Sequence, residues 1–144
     1  LTIIHNVLYY RCTIRKVHYM KKLDEYETKL LEGWEDVYKK GQLTLWIMLA
    51  LKDGPKHMAE IKQFIETATN GSLSADDQSM YRALRRYYDV EMVDFDTEPG
   101  KSGPDRKVYK ITEVGVRVLN SFTRRNITEV FYKPLIRDLI TRGV

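Results

Sequence analysis

The segment SADDQSMYRALRRYYD, residues 74–89, gathers the side chains best equipped to read another molecule. At helical spacing Met80, Ala83, Leu84 and Tyr87 share one face, which leaves Gln78, Ser79, Tyr81, Arg82, Arg85 and Arg86 toward solvent or the flanks. Gln, Ser and Arg address base edges or phosphates, and those near the start of a helix are best placed to do so. A second basic group follows at and beyond the loop PGKSGPD, with Lys101, Arg106 and Lys107. Two features oppose a polyanionic partner. Asp76 and Asp77 stand at the start of the helix, where they would repel phosphates, and Arg82, Arg85 and Arg86 equally suit a solvated face answering Asp89 and Glu91.

Catalytic chemistry finds little support. The three histidines, His5, His18 and His57, are far apart, and none has metal-ligand spacing to Cys, Asp or Glu. His57 falls at a helix start, where capping or packing is expected. Gly100 and Gly103 do not lead from a strand into a helix, so they make no phosphate-cradling loop. Cys12, the single cysteine, has no histidine partner that sequence reveals and excludes an internal disulfide. No catalytic residue, metal site or cofactor is expected.

The elements that must position these residues are legible as changes of period. Residues 23–39 predict a helix with Asp24 and Glu27 at capping-box spacing, ended by Gly41. Its Leu23, Tyr26, Leu30, Trp34 and Val37 form a narrow apolar stripe of the kind that packs on another helix. Residues 42–52 are apolar nearly all round, including Trp46, and predict a buried helix. After the turn Asp53-Gly54-Pro55, an amphipathic helix carries Met58, Ile61, Phe64 and Ile65 and closes at Asn70-Gly71. Ser74, answered by Asp77, is the expected cap of the third helix, which runs to about residue 89. Residues 92–98 and 106–111 then alternate and predict a two-stranded hairpin with a long Gly/Pro loop. Thr112 caps a further helix with Val118, Leu119 and Phe122, and residues 127–140 continue as helix, bent near Pro134. Three helices, a hairpin and flanking helices make a mainly α chain with a small β-hairpin. That order is a winged helix-turn-helix with N- and C-terminal flanking helices.

The 144 residues, 43% hydrophobic and 31% charged, fit one globular domain with an accessory helical arm. A net charge of +4 permits a polyanionic partner without requiring one. No apolar run reaches the ~18–20 residues of a membrane span, so no membrane partner and a cytoplasmic location are expected. Residues 1–22 stand apart, with Arg11, Arg15, Lys16, Lys21 and Lys22 and no acid. They read as an extension upstream of a start at Met20, or as a basic arm that tracks DNA.

Three segments resemble the PadR family of winged-helix regulators. DGPKHMAEI is similar to the family's Gly-Pro then His-Gly-Tyr-Glu-Ile pattern, and SMYRALRRYYD to its Leu-Tyr-Pro-Ala-Leu-Arg-Arg-Leu-Glu helix. RKVYKITEVG resembles its Arg-Arg-Tyr-Tyr-Arg-Leu-Thr-Glu-Ala-Gly strand and helix start, so the likeness covers roughly residues 43–118. There are departures. Met58-Ala59 replace Gly-Tyr, Arg82 stands for Pro, Tyr87 and Tyr88 for Leu-Glu, and Glu91 for Gly. Arg82 extends positive charge along the helix, Tyr87 enlarges the core, and Glu91 is expected to strain the turn into the wing.

The resemblance implies a homodimer that represses a promoter through double-stranded DNA and is sometimes relieved by a small hydrophobic or aromatic effector. The expected DNA-binding residues are Gln78, Ser79, Tyr81, Arg82, Arg85, Lys101, Arg106 and Lys107, with residues 75–89 in the major groove and 99–107 on the backbone. The expected dimer interface is Leu23, Tyr26, Leu30 and Trp34 with Phe131, Leu135 and Leu139, because these present more apolar surface than one small domain covers. Trp46 is core by its setting, and by the resemblance a candidate wall of an effector pocket. The domain reading is a dimerisation helix at 23–40, a winged-helix DNA-binding domain at 41–111 and C-terminal dimerisation helices at 112–144. The alternative is a winged-helix protein-interaction module that does not bind DNA.

Overall fold

The computed structural model describes residues 22–143. The expectations for the N-terminal extension, with His5, Cys12, His18 and the start at Met20, fall on residues 1–21, which lie outside the described residues.

Helix α1, Glu25–Lys39, starts as its sequence dictates. The Asp24 carboxylate accepts from the Glu27 amide at 2.8 Å, and the Glu27 carboxylate accepts from the Asp24 amide at 2.9 Å. Gly41, at φ +83°, then turns the chain into α2, Leu43–Asp53. Ile47, Met48, Ala50 and Leu51 of α2 are buried at the centre of the core. Around them pack Ile61 and Ile65 of α3 (Met58–Ala68), Met80, Ala83, Leu84 and Tyr87 of α4 (Asp77–Asp89), and Val93 and Tyr109 of the sheet.

The expected two-stranded hairpin is part of a three-stranded antiparallel sheet. Strands β2, Val93–Glu98, and β3, Arg106–Ile111, pair as expected, but the two-residue strand β1, Lys56–His57, adds to the far side of β3 in the order β1-β3-β2. Two residues between Pro55 and a helix carry no period, so pattern alone could not reveal β1. Lys56 is anchored there by donating to the Ala50 carbonyl at 2.9 Å and the Asp53 carboxylate at 2.8 Å.

The start of α4 also differs from expectation. Asp76, not Ser74, caps it, with its carboxylate accepting from the Ser79 amide at 2.8 Å. The helix begins two residues later than Ser74 would require. Thr112 does cap α5, Glu113–Thr123, accepting from the Gly115 amide at 3.0 Å. Gly115 sits so close to the sheet that a Cβ there would run into the Met92 carbonyl oxygen. Beyond Thr123 the chain is interrupted more than bent. A π-helical turn, Arg124–Thr128, leads into the short α6, Glu129–Phe131, and α7, Pro134–Thr141, restarts with Pro134 in its first turn. A proline has no amide to continue the preceding ladder, but it fits the first turn of a new helix.

Glu91, between α4 and β2, adopts φ +61°, a region that side chains with a Cβ occupy at a cost of about 1 kcal/mol or more. Its carbonyl accepts from the Thr112 hydroxyl at 2.6 Å, which helps hold the turn. Glu91→Gly keeps that carbonyl and removes the strain. It should raise the unfolding free energy by about 1 kcal/mol in a urea titration, with the m-value unchanged.

Candidate nucleic-acid interface

The inward set of α4 is buried as a stripe, which turns Gln78, Tyr81, Arg82 and Arg85 outward, all exposed. Ser79 is half-buried, and its hydroxyl donates to Asp76 at 2.8 Å, so it is engaged in the cap. Arg86 folds back. It lies over the Tyr87 ring at 5.0 Å and donates to the Tyr87 hydroxyl at 2.8 Å, and that hydroxyl is also hydrogen-bonded to Thr44 of α2. Tyr87 is only 7% exposed, so the enlarged core expected at this position is present, with its polar end satisfied.

The two acids at the start of α4 are both occupied within the chain. The Ser79 amide, and then its hydroxyl, hold the Asp76 carboxyl below its usual range near 3.8. Asp77 accepts from Lys62 of α3 at 2.6 Å, and that hydrogen bond raises the Lys62 ammonium above its usual value. A depressed Asp76 stabilises the fold above the unfolded carboxyl value, and this contribution fades as pH falls through the lower folded value. Asp76→Ala should therefore lower the melting temperature at pH 7. The gap to the unsubstituted protein should close as melts are repeated toward pH 3.

The register of the wing separates its cations. Glu98 pairs with Arg106 and Thr97 with Lys107, so Arg106 and Lys107 point to opposite faces of the hairpin. Asp94, Asp96 and Glu98 share the Arg106 face, where Lys110 donates to Asp96 at 3.0 Å and is raised above its usual value by that bond. Lys107 shares the other face with Phe95 and Tyr109, and its ammonium lies 4.1 Å from the centre of the Phe95 ring. Burial, and then the neighbouring Tyr81, push the Tyr109 hydroxyl above its usual value. At the tip, Gly100 approaches the Gly103 and Pro104 carbonyls more closely than a Cβ allows, which folds the loop carrying Lys101 back on itself.

Tyr81, Lys101, Arg106 and Lys107 are brought around one open cleft of about 580 Å³, between the start of α3, the middle of α4 and the wing. Arg85 lies on an adjoining cleft of about 390 Å³, which shares Tyr81 and Lys107 with the first. Gln78, Ser79 and Arg82 line neither cleft. Sequence reasoning missed two contributors. His57, expected to cap or pack, stands at the start of α3 and also reaches the wing. Its Nδ1 is 3.3 Å from the Lys107 carbonyl oxygen and its Nε2 is 3.6 Å from the Glu98 carboxylate. Phe95 was legible only as an inward position of an alternating strand.

The flanking helices present a different surface. No residue of α1 is buried, and Trp34 is 74% exposed. Leu23, Tyr26 and Leu30 are exposed beside it, and so are Phe131, Leu135 and Leu139 toward the C-terminus. Trp46 is half-buried and donates to Gln42 at 3.3 Å. It lines an apolar cleft of about 670 Å³ together with Tyr38, Leu45, Phe122, Phe131 and Ile140. Among the described residues no helix is long and apolar enough to cross a membrane, and no group of three or more His, Cys, Asp or Glu could hold a metal ion.

Comparison with solved structures returns the same fold. A PadR-like transcription factor from Bacteroides fragilis is 24% identical, with a TM-score of 0.56 over 69% of this chain and 96% of its own. A PadR family transcriptional regulator from Eggerthella lenta is 18% identical, with a TM-score of 0.59 over 82% of this chain and 99% of its own. Bacillus subtilis PadR in complex with operator DNA is 21% identical, with a TM-score of 0.51 over 56% of this chain and 46% of its own. No curated protein matches the chain. The model of the transcriptional regulator PadR-like family matches residues 47–121, from the middle of α2 to the last turn of α5. With these residues built as a winged helix, the chain belongs to the PadR-like family of transcriptional regulators.

Proposed function

We propose that this protein is a sequence-specific DNA-binding repressor that acts in the cytoplasm as a homodimer, with α4 in the major groove and the wing along the phosphates. One observation carries this reading. Tyr81 of α4 and the wing residues Lys101, Arg106 and Lys107 line a single cleft, while of the two acids at the start of α4 Asp77 is paired with Lys62 and Asp76 is hydrogen-bonded into the helix cap. Gln78, Arg82 and Arg85 are the proposed base and phosphate contacts along α4, with Ser79 contributing where its cap bond permits. The structure of B. subtilis PadR with operator DNA supports a DNA partner for this fold. Residues 41–111 form the proposed reading domain, and residues 23–40 and 112–144 join two copies through Leu23, Tyr26, Leu30, Trp34, Phe131, Leu135 and Leu139. The apolar cleft beside Trp46 is the proposed seat of a small hydrophobic or aromatic effector.

Selection of bound fragments from a randomised duplex library tests the assignment. Two-fold-related half-sites about one helical turn apart, or a multiple of that, are the expected product. Recovery of unrelated sequences would contradict sequence-specific reading.

A further inference from the structure

We infer that Phe95, packed at a tilt against Tyr88, is a positioning residue that holds the Lys107 ammonium ready for a DNA phosphate. This rests on the reading of the cleft as a DNA interface. Lys62, Lys110 and Arg85 are drawn to the carboxylates of Asp77, Asp96 and Asp89, whereas among the described residues Lys107 enters no ion pair. It is nevertheless held at both ends. Its carbonyl faces His57 Nδ1 at 3.3 Å, and its ammonium lies 4.1 Å from the Phe95 ring centre. That ring is itself fixed, with its centre 4.9 Å from that of Tyr88 on α4 and 5.8 Å from that of Tyr109. An aromatic face attracts an ammonium without supplying a hydrogen-bond acceptor that competes with phosphate. The ammonium has three donors, and a ring covering one side leaves others for a phosphate oxygen. A free lysine side chain must surrender rotamer freedom to make the same contact, and the ring removes part of that cost. Tyr88 thus ties the position of a wing cation to the recognition helix.

The test uses the full chain and a labelled, mixed-sequence duplex, because a phosphate contact does not depend on the operator. Affinity is measured at several salt concentrations for the unsubstituted protein, Lys107→Gln, Phe95→Leu, Phe95→Tyr and the double variant Phe95→Leu/Lys107→Gln. Lys107→Gln should weaken binding and flatten the slope of log K against log salt by about 1.8, the loss of one phosphate contact from each half of the dimer. Phe95→Leu should weaken binding about two- to five-fold with the slope unchanged, and Phe95→Tyr, which keeps the ring, should bind normally. In the Lys107→Gln background, Phe95→Leu should have no further effect. Tyr88→Leu, at a more exposed site, serves as the second probe if Phe95→Leu fails to fold, and the same dependence on Lys107 is expected. An equal loss with and without Lys107, or an unchanged slope in Lys107→Gln, overturns the inference while leaving DNA binding intact. Absence of duplex binding by the unsubstituted protein overturns the DNA reading, and the inference with it.

Discussion

Trp34→Glu combined with Leu135→Glu should convert the protein from a dimer to a monomer without unfolding it. In a single copy these side chains are 74% and 66% exposed, so neither change disturbs a packed core. They lie within two apolar surfaces, the α1 stripe and the C-terminal helices, that α1 and α7 leave with no buried residue. Burying an unpaired carboxylate costs several kcal/mol, and an isologous interface buries each substitution twice. Against the roughly 8–12 kcal/mol of a micromolar to nanomolar dimer, that loss moves dissociation out of the working concentration range. Light scattering should give about twice the 17.0 kDa chain mass for the unsubstituted protein and the single-chain mass for the double variant, with far-ultraviolet circular dichroism unchanged. A monomeric unsubstituted protein at micromolar concentration contradicts the proposed interface.

Arg82→Ala and Lys101→Ala should both weaken DNA binding, and in different ways. Arg82 projects from the N-terminal half of α4 with its guanidinium 3.5 Å from the Ser79 hydroxyl. If it reads a base edge, its removal costs about 1–3 kcal/mol on the selected sequence and relaxes preference at that position. Lys101 is carried by the exposed wing loop that Gly100 folds. Its removal should weaken all duplexes alike and reduce the salt slope by about two contacts, one for each protomer of the dimer. Competition binding with selected and unrelated duplexes separates the two patterns. Equal losses on both duplexes for Arg82→Ala would remove it from the base-reading set.

What could be read from the sequence was whatever repeats or caps. The α1 box, the inward stripe of α4 and the alternation of β2 and β3 have local signatures and stand where expected, whereas the strain at Glu91 was expected only from the resemblance, whose pattern has glycine there. What escaped depends on contacts between distant segments. Strand β1 is too short to show a period and exists because β3 offers it an edge. Ser74 and Asp76 are both good cap types, and the sequence does not say which one the helix uses; the Ser79 amide bonds to Asp76. Pro134 marked a discontinuity, but a new helix after a π-helical turn was not distinguishable from a bend. In the site, residue types were legible and grouping was not. Arg106 and Lys107 are neighbours in sequence yet face opposite sides of the hairpin, and His57 meets them only through the register of β1 on β3. Phe95 differs from any other inward strand residue only by the lysine above its ring.

Equilibrium binding to duplex DNA as a function of salt tests the central claim most directly. If α4 and the wing form the proposed interface, log K should fall linearly with log salt, with a slope steeper than about −3 for a dimer contacting several phosphates on each half-site. Binding should also be stronger for the selected sequence than for a scrambled one. No measurable binding at low salt would contradict the account and leave a winged-helix module that recognises another protein.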